Sequence, residues 1–289
     1  MKIAVVGSSG YIAGFLLNRL AQEEKVENVL KIDQNDEADE FLDLQMPEKF
    51  NYDCLKEIDF VVFTAAVSGP DKCANEFEFC WNINVIGTDY FIRQAINRGC
   101  KVLFFSSDAV FGEAPVSIFN ELAETNSFTP YGKMKESIEQ NFRIEKNFKS
   151  LRLSYVVSVK DRFVSYCLEC MEKNQIADVF HPFYRNCIVV SDVVNVVCWM
   201  IFHWEQYKPN VLNIAGKELV SRVRIADELN RYFGNRLRYH IVHPGEAFFK
   251  NRPSITQMES IYMEQYHILP DNTFTEKIKR ELEETYYEL

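Results

Sequence analysis

The sequence has no long uninterrupted run of hydrophobic residues. The longest apolar segment, residues 193–204, is broken by Asn195 and His203, and it is shorter than the roughly 20 residues that span a bilayer. The apolar run at the start is also short and ends in a glycine loop, which is not typical of a signal peptide. We therefore expect no membrane association and a cytoplasmic location.

Positive charge is also scarce. The chain has 32 Lys and Arg against 42 Asp and Glu, which gives a formal net charge of -10. Proteins that bind nucleic acids usually concentrate positive charge, so the balance predicts no nucleic-acid partner. A local basic pocket for an anionic substrate is compatible with this total.

Metal-ligand patterns and linkers are missing as well. Cys167 and Cys170 form a lone Cys-x-x-Cys without a second pair or nearby histidines, which predicts no metal site. Most of the eight cysteines lie in apolar stretches, which is typical of buried free thiols. There is no internal repeat, low-complexity tract or Pro/Gly/Ser linker, so the 289 residues predict two interleaved lobes.

Strand and helix signals alternate through the first half of the chain. Apolar runs predict strands at 3–6, 29–32, 60–64, 102–105 and 150–155, and helical periodicity predicts helices at 11–22, 83–97 and 131–145. The second half is more mixed, with helices from Asp192, from a Ser221 cap to 233 and over 275–284, and strands at 211–214 and 238–242. This alternation predicts an α/β fold with a doubly wound parallel sheet.

A glycine loop joins the first strand to the first helix. In Gly7-x-x-Gly10-x-x-Ala13, the first glycine permits the tight turn, the second allows close approach to a pyrophosphate, and the small third residue lets the helix pack closely. The helix N-terminus then faces the phosphates. The loop predicts a dinucleotide site.

Asp33 ends the second strand and indicates which dinucleotide binds. A carboxylate there can accept hydrogen bonds from both ribose hydroxyls of NAD and repels the additional phosphate of NADP. The next three residues, Gln34-Asn35-Asp36, provide no positive charge for that phosphate. The sequence therefore predicts NAD as the cofactor.

Tyr131 and Lys135 form a candidate catalytic pair. They are four residues apart and so share one face of a helix. Tyrosine is a poor base at its usual pKa near 10, but a nearby ammonium stabilises the phenolate and makes it usable near neutral pH. Ser107, at the end of a predicted strand, would hydrogen-bond the reacting oxygen.

The glycine loop, the serine and Tyr-x-x-x-Lys, in this order, resemble the extended short-chain dehydrogenase/reductase family, specifically its NAD-dependent epimerase/dehydratase members that modify nucleotide-activated sugars. The resemblance implies hydride transfer between a sugar carbon and NAD, with Tyr131 handling the hydroxyl proton and Lys135 also holding the nicotinamide ribose. It implies a Rossmann domain over 1–157, completed by about 192–216. A smaller mixed α/β substrate-binding lobe would comprise 158–191 and 217–289.

Further site residues follow from this resemblance. Asp43-Leu44, Thr64-Ala65-Ala66 and the Asn84 segment resemble family motifs that contact the cofactor. The implied cofactor set is Gly7, Ser9, Gly10, Tyr11, Ile12, Asp33, Asp43, Leu44, Thr64, Ala65, Ala66, Asn84, Ser106, Tyr131 and Lys135. The implied substrate set is Asp108, Arg185 and Arg252, with both arginines at a nucleotide diphosphate.

The resemblance also implies a homodimer formed through the helices at 83–97 and 131–145. Ile86, Tyr90, Phe91 and Ile92 give the first of these more apolar surface than one core-facing stripe requires. The second helix is more polar. We therefore expect a homodimer.

The segment Ser107-Asp108-Ala109 bears on the reaction. The 4,6-dehydratases typically have Thr-Asp-Glu here, and Ala109 lacks the glutamate carboxylate, which disfavours dehydration by that route. The segment shares residues with 4-keto-sugar reductases resembling dTDP-4-dehydrorhamnose reductase and with 4-epimerases, so both reactions stay open. Tyr155 replaces an asparagine that binds the sugar nucleotide, which leaves the sugar and base undetermined.

Two other functions remain as alternatives. One is a reductase of a non-sugar carbonyl, and the other is an NAD-binding regulatory subunit without turnover. The presence of Ser107, Tyr131 and Lys135 argues against the silent subunit, and the two arginines favour a nucleotide sugar over another carbonyl.

Overall fold

The computed structural model describes residues 1–113 and 117–285. Its strands are β1 Lys2–Val6, β2 Asn28–Asp33, β3 Glu40–Phe41, β4 Phe60–Phe63, β5 Lys101–Ser107, β6 Ile118–Phe119, β7 Phe148–Leu153, β8 Val156–Val157, β9 Ile176–Phe180, β10 Tyr184–Arg185, β11 Ile188–Val189, β12 Val211–Ile214, β13 Val220–Ser221, β14 Arg238–Val242 and β15 Ile255–Met258.

The α-helices are α1 Tyr11–Leu20, α2 Pro70–Asn75, α3 Phe77–Trp81, α4 Thr88–Asn97, α5 Pro130–Asn141, α6 Arg162–Glu172, α7 Val190–Phe202, α8 Arg222–Tyr232, α9 Glu246–Phe249, α10 Ile261–Gln265 and α11 Phe274–Thr285. A π-helical segment, Asn82–Gly87, connects α3 to α4, and short 3-10 turns lie at Pro47–Lys49, Tyr52–Leu55 and Asp108–Val110.

The larger sheet has seven strands within the described residues, in the order β12-β7-β5-β4-β1-β2-β3. All neighbouring pairs are parallel. β4 is buried along its whole length, and so is β1 after Lys2, which explains why these strands are continuous apolar runs. This arrangement confirms the predicted Rossmann-type doubly wound sheet.

Helices cover both faces of this sheet and bury its apolar side chains. α1 and α7 pack on one face, and α4 and α5 pack on the other. A fully buried aliphatic or phenyl side chain contributes about 1.5–3 kcal/mol. The fully buried side chains on these helices include Leu16, Leu20, Val193, Val197, Phe91, Ile92, Met134 and Ile138.

The second lobe contains a mixed sheet in the order β13-β10-β15-β6. β10 and β13 are antiparallel, while the β10–β15 and β15–β6 pairs are parallel. The mixed sheet confirms the smaller α/β lobe. β6 reaches this sheet from within residues 1–157, so the two lobes exchange segments, and the exact domain division stays a prediction.

Several predicted element boundaries differ from those observed. The helix predicted at 83–97 begins with the π-helical segment, and the hydroxyl of Thr88, the first residue of α4, donates to the Ile83 carbonyl at 2.9 Å. The predicted strand at 150–155 lies two residues earlier, and the helix predicted at 131–145 ends at Asn141. Propensity does not report such ends, because tertiary packing decides them.

Cys167 and Cys170 are two buried positions on α6, and all eight cysteines are free thiols. Among the residues the structure describes, no three His, Cys, Asp or Glu side chains are grouped to hold a metal ion. Over the same residues, no helix has both the length and the apolar character for crossing a membrane.

Candidate functional site

The glycine loop shows why glycine is required at its first position. Gly7 has a φ of +84°, a left-handed conformation that residues with a Cβ rarely adopt. A Cβ on Gly7 would also lie 2.6 Å from the Ala65 backbone nitrogen. Gly10 caps α1 without a side-chain hydrogen bond, so the first-turn N–H groups remain available to an anionic group.

A cavity of about 240 Å³ lies beside this loop, where β1, β2 and β4 end. Its lining joins segments that are distant in the sequence, as expected where ligands bind to doubly wound sheets. Six residues of the predicted cofactor set do not line it: Tyr11, Ile12, Asn84, Ser106, Tyr131 and Lys135. From the predicted cofactor set it is lined by Gly7, Ser9, Gly10, Asp33, Asp43, Leu44, Thr64, Ala65 and Ala66.

Asp33 connects the glycine loop to the end of β2. Its Oδ2 accepts hydrogen bonds from the Ser9 backbone N–H at 2.8 Å and from the Ser9 hydroxyl at 2.7 Å. Its Oδ1 accepts from the Gln34 N–H. The carboxylate therefore has a fixed position in the cavity wall, where its lone pairs suit a ribose diol.

Two predicted cofactor residues outside the lining support this region. The Asn84 amide accepts from the Val67 N–H at 2.8 Å and donates to the Val67 carbonyl at 2.9 Å, which fixes the backbone after Ala66. The Ser106 hydroxyl, at the end of β5, is buried and has no partner in the described part of the chain. Such a group is costly to bury, and a cofactor hydroxyl would satisfy it.

The donors and acceptors around the cavity fit a dinucleotide. NAD would place its phosphates at the α1 N-terminus, its adenosine ribose at Asp33 and its nicotinamide end near β5. The chemistry that NAD supplies when bound is the acceptance or donation of a hydride.

The catalytic pair is positioned by the start of α5. Thr129 caps the helix through its hydroxyl, which accepts from the Gly132 N–H at 3.1 Å, and Pro130 occupies the first turn. Lys135 Nζ lies 5.7 Å from the Tyr131 ring centroid and donates to the Phe105 carbonyl at 2.7 Å. The predicted pair is thus joined to the end of β5.

Burial shifts the pKa values of both members of the pair. It lowers the pKa of Lys135 to about 7, because the ammonium loses its hydration. Burial also raises the pKa of Tyr131, and Cys73 and Asp108 add to that increase. In the cofactor-free protein, Tyr131 is therefore a protonated phenol, which is the form that donates a proton.

Ser107 is the last residue of β5, and Asp108 begins the short 3-10 turn that packs against the start of α5. The Ser107 hydroxyl donates to Asp108 Oδ1 at 3.1 Å and accepts from the Ala109 N–H at 3.2 Å. Burial raises the pKa of Asp108, although Arg185, whose Nε lies 3.3 Å from Asp108 Oδ2, opposes the increase. Ser107 is therefore held by a local network near Tyr131.

The two predicted substrate arginines are near each other, because Arg185 contacts the two residues that follow Arg252 in the chain. Arg185 is buried and donates to the Tyr184, Pro253 and Ser254 carbonyls. Arg252 donates to the Phe248 carbonyl at 2.7 Å and forms an ion pair with Asp71 of α2. Most N–H groups of Arg185 are therefore already committed, whereas Arg252 is paired with an exposed carboxylate.

Sequence reasoning missed two features near the site. Glu139 forms a buried ion pair with Arg152 at 2.6 Å, and it is four residues after Lys135 on the same helix face, so its spacing could have identified it. Arg222 lies in the first turn of α8. Positive charge is unfavourable at a helix N-terminus. An arginine directly after the predicted Ser221 cap was therefore the sequence feature that could have identified Arg222.

Replacing Lys135 should stabilise the cofactor-free protein. We expect Lys135→Met to raise the free energy of unfolding at pH 7 by on the order of 1–3 kcal/mol. Burial of the ammonium no longer costs free energy, although the Phe105 carbonyl loses its donor. The gain should be full below about pH 7 and vanish as pH rises toward 10.5, because the native pKa is depressed. Denaturant titrations across this range measure it.

Lys133→Met is the matched control, because Lys133 is exposed on the same helix. It should leave the free energy of unfolding within about 0.5 kcal/mol of the wild type. A Lys135→Met protein that is less stable than the wild type at pH 7 would contradict the expected cost of burying the ammonium.

The chain belongs to the NAD dependent epimerase/dehydratase family, whose model matches residues 3–215. This membership confirms the predicted family and the predicted cofactor, NAD. The protein is an enzyme of this NAD-dependent class. No curated protein sequence matches the chain significantly.

Solved structures share the fold over the whole chain. A structure of MoeE5 in complex with UDP-glucose and NAD has a TM-score of 0.83 at 21% identity, covering 100% of this chain and 99% of that one. A dTDP-4-dehydrorhamnose reductase from Clostridium acetobutylicum has a TM-score of 0.82 at 21% identity, covering 99% and 100%. UDP-glucose 4-epimerase from Thermotoga maritima has a TM-score of 0.79 at 16% identity, also covering 99% and 100%. At these identities the likeness shows the fold.

Proposed function

We propose that this protein acts on a nucleotide-activated sugar by hydride transfer assisted by Ser107, Tyr131 and Lys135. The observation that carries the proposal is the Tyr131–Lys135 pair, in which the buried Lys135 donates a hydrogen bond to the Phe105 carbonyl of β5, two residues before Ser107. A pair with strongly shifted pKa values beside a cofactor cavity is typical of an acid–base site.

Each residue has a defined part in the proposed reaction. Ser107 donates its hydroxyl proton in a hydrogen bond to the reacting oxygen and orients it toward Tyr131. The Tyr131 phenol then donates a proton to that oxygen, or accepts one when ionised. A protonated Lys135 stabilises the phenolate electrostatically. When the phenol acts as an acid the product is an alcohol, and the reverse step yields the ketone.

The arginines support an anionic substrate. Arg252 carries an exchangeable partner, Asp71, whose side chain is 60% exposed, so a phosphate could replace it. Arg185 would contribute mainly through its charge, because most of its N–H groups are used internally. Both remain proposed contacts of a nucleotide diphosphate, as does Asp108 for the sugar. MoeE5, which has the same fold, is described in complex with UDP-glucose.

Among the reactions of the family, we favour 4-epimerisation or reduction of a 4-keto sugar over 4,6-dehydration. Ala109 has no carboxylate that could act beside Asp108. Epimerisation would return the hydride to the opposite face of the same sugar carbon, whereas reduction would consume NADH. The two are distinguished by whether NADH is used in proportion to product.

The proposal is tested by calorimetric titration with UDP-, dTDP-, GDP- and CDP-sugars in the presence of NAD. We expect one nucleotide class to bind and to raise the melting temperature, because a ligand of the folded state stabilises it. Binding of a non-sugar carbonyl compound instead would favour that alternative. If no nucleotide sugar binds, the proposed substrate class is wrong.

Asp33 should make the protein prefer NADH over NADPH. We expect NADPH to bind at least about tenfold more weakly, a difference of 1.4 kcal/mol, because its extra phosphate would meet the Asp33 carboxylate. Fluorescence titration with both cofactors measures this. Asp33→Asn should bring the dissociation constants of NADPH and NADH closer together. If the wild type binds NADPH as tightly as NADH or more tightly, the predicted preference is wrong.

A homodimer and a cytoplasmic location remain predictions. Of the four apolar residues considered for the interface, Phe91 and Ile92 belong to the core, while Ile86 and Tyr90 are 56% and 38% exposed. The exposed pair supports a contact with a second copy.

A further inference from the structure

Two arginines lie against the same aromatic ring in the second lobe. The Arg185 guanidinium carbon is 4.5 Å from the centroid of Phe183, and the Arg222 guanidinium carbon is 4.6 Å from it. The two cations can be no farther apart than the sum of these distances. Arg222 also lies 5.1 Å from the Phe163 centroid, so two rings hold its side chain.

The two arginines differ in their hydrogen bonds. Arg185 is committed to three backbone carbonyls and to Asp108. Arg222 has no hydrogen bond or ion pair with any residue in the described ranges, and its Nε is buried without an acceptor. A buried donor without an acceptor is unfavourable, and more so on a charged group. The Arg222 guanidinium is therefore held by two rings, and its N–H groups are not committed to other described residues.

A chain of contacts connects Arg222 to the reacting centre. Ser107 donates to Asp108, Asp108 pairs with Arg185, and both arginines contact Phe183. The backbone agrees with this, because Val220 pairs with Arg185 in the β10–β13 ladder and Arg222 begins α8 two residues later. Arg222 thus lies in the second lobe beside Arg185, which is itself a proposed contact of the nucleotide diphosphate.

We propose that Arg222 supplies the hydrogen bonds to the substrate diphosphate that Arg185, with its N–H groups already committed, does not supply. This inference rests on the proposed nucleotide-sugar function and adds a residue to its substrate site. The guanidinium forms a planar fork that matches two phosphate oxygens. Stacking on Phe163 and Phe183 fixes the fork before binding, so little side-chain entropy is lost when the anion arrives.

The test compares Arg222→Gln with Arg222→Lys in titrations with UDP, dTDP, GDP and CDP. We expect Arg222→Gln to weaken the nucleoside diphosphate that binds the wild type by about tenfold to a hundredfold. Arg222→Lys should recover part of the loss, because it keeps the charge but not the fork. The NADH dissociation constant and the melting temperature should stay at their wild-type values.

Arg236→Gln is the matched control, since it removes the same charge from an exposed position after α8. It should bind the diphosphate like the wild type. If Arg222→Gln binds it equally well, or loses NADH binding and melts early, the role of Arg222 is overturned while the proposed function stands. If the wild type binds no nucleoside diphosphate, both proposals fail.

Discussion

Tyr131→Phe is expected to lower turnover of the nucleotide sugar by about 10² or more, as is typical when a positioned acid–base group is removed. The substitution deletes one oxygen from a phenol whose ring centroid lies 5.7 Å from Lys135 Nζ. The next residue, Gly132, packs against the Ala109 carbonyl, two residues after Ser107. Its pKa is raised by burial, so the proton it carries at rest is available to the reacting oxygen. Steady-state kinetics with the sugar identified by titration would measure the loss.

Two readouts separate this chemical effect from a structural one. NADH binding and the melting temperature of Tyr131→Phe should remain close to those of the wild type. Tyr166→Phe removes a phenol from an exposed position in the second lobe, where its oxygen accepts from the Asp178 N–H, and it should leave turnover unchanged. Turnover of Tyr131→Phe near the wild-type level would remove Tyr131 from the mechanism.

The parts of the fold that the sequence predicted are those with local causes. β1, the glycine loop and α1 follow one another within about twenty residues, and their periodicity and glycine spacing are visible without knowledge of the rest. The Tyr131–Lys135 pair is likewise local, because a four-residue spacing on a helix fixes its geometry. Asp33 was predictable because it ends a strand adjacent to β1.

The parts that the sequence did not predict depend on distant partners. β6, β10, β13 and β15 have two to four residues each, too few for a periodic pattern, and they pair with segments far away in the chain. Arg185 illustrates the same limit within the site. Its residue type suggested a phosphate contact, but its hydrogen bonds go to carbonyls at 253 and 254, which no local pattern reveals.

Gly132→Ala should strongly destabilise the protein and displace the segment that carries Ser107. In a helix this change normally stabilises by about 0.5–1 kcal/mol. Here a Cβ would lie 2.0 Å from Ser127 Oγ and 2.2 Å from the Ala109 carbonyl oxygen, so either α5 or the segment that carries Ser107 must move. We expect a loss of about 1–3 kcal/mol or more, seen as a fall in melting temperature, together with reduced turnover.

Gly14→Ala provides the matched comparison, because Gly14 lies inside α1 and its added Cβ would meet no atom within 4 Å. It should raise the melting temperature by about 1–4 °C, the usual size for a gain below 1 kcal/mol in a chain of this length. If the melting temperature falls in Gly132→Ala and rises in Gly14→Ala, α5 packs tightly against the segment that carries Ser107. The positions of Tyr131 and Ser107 are then fixed by the same packing contact. If both variants were stabilised, α5 and the segment that carries Ser107 would be farther apart than the structure places them. The proposed alignment of Ser107 with Tyr131 would then lose its basis.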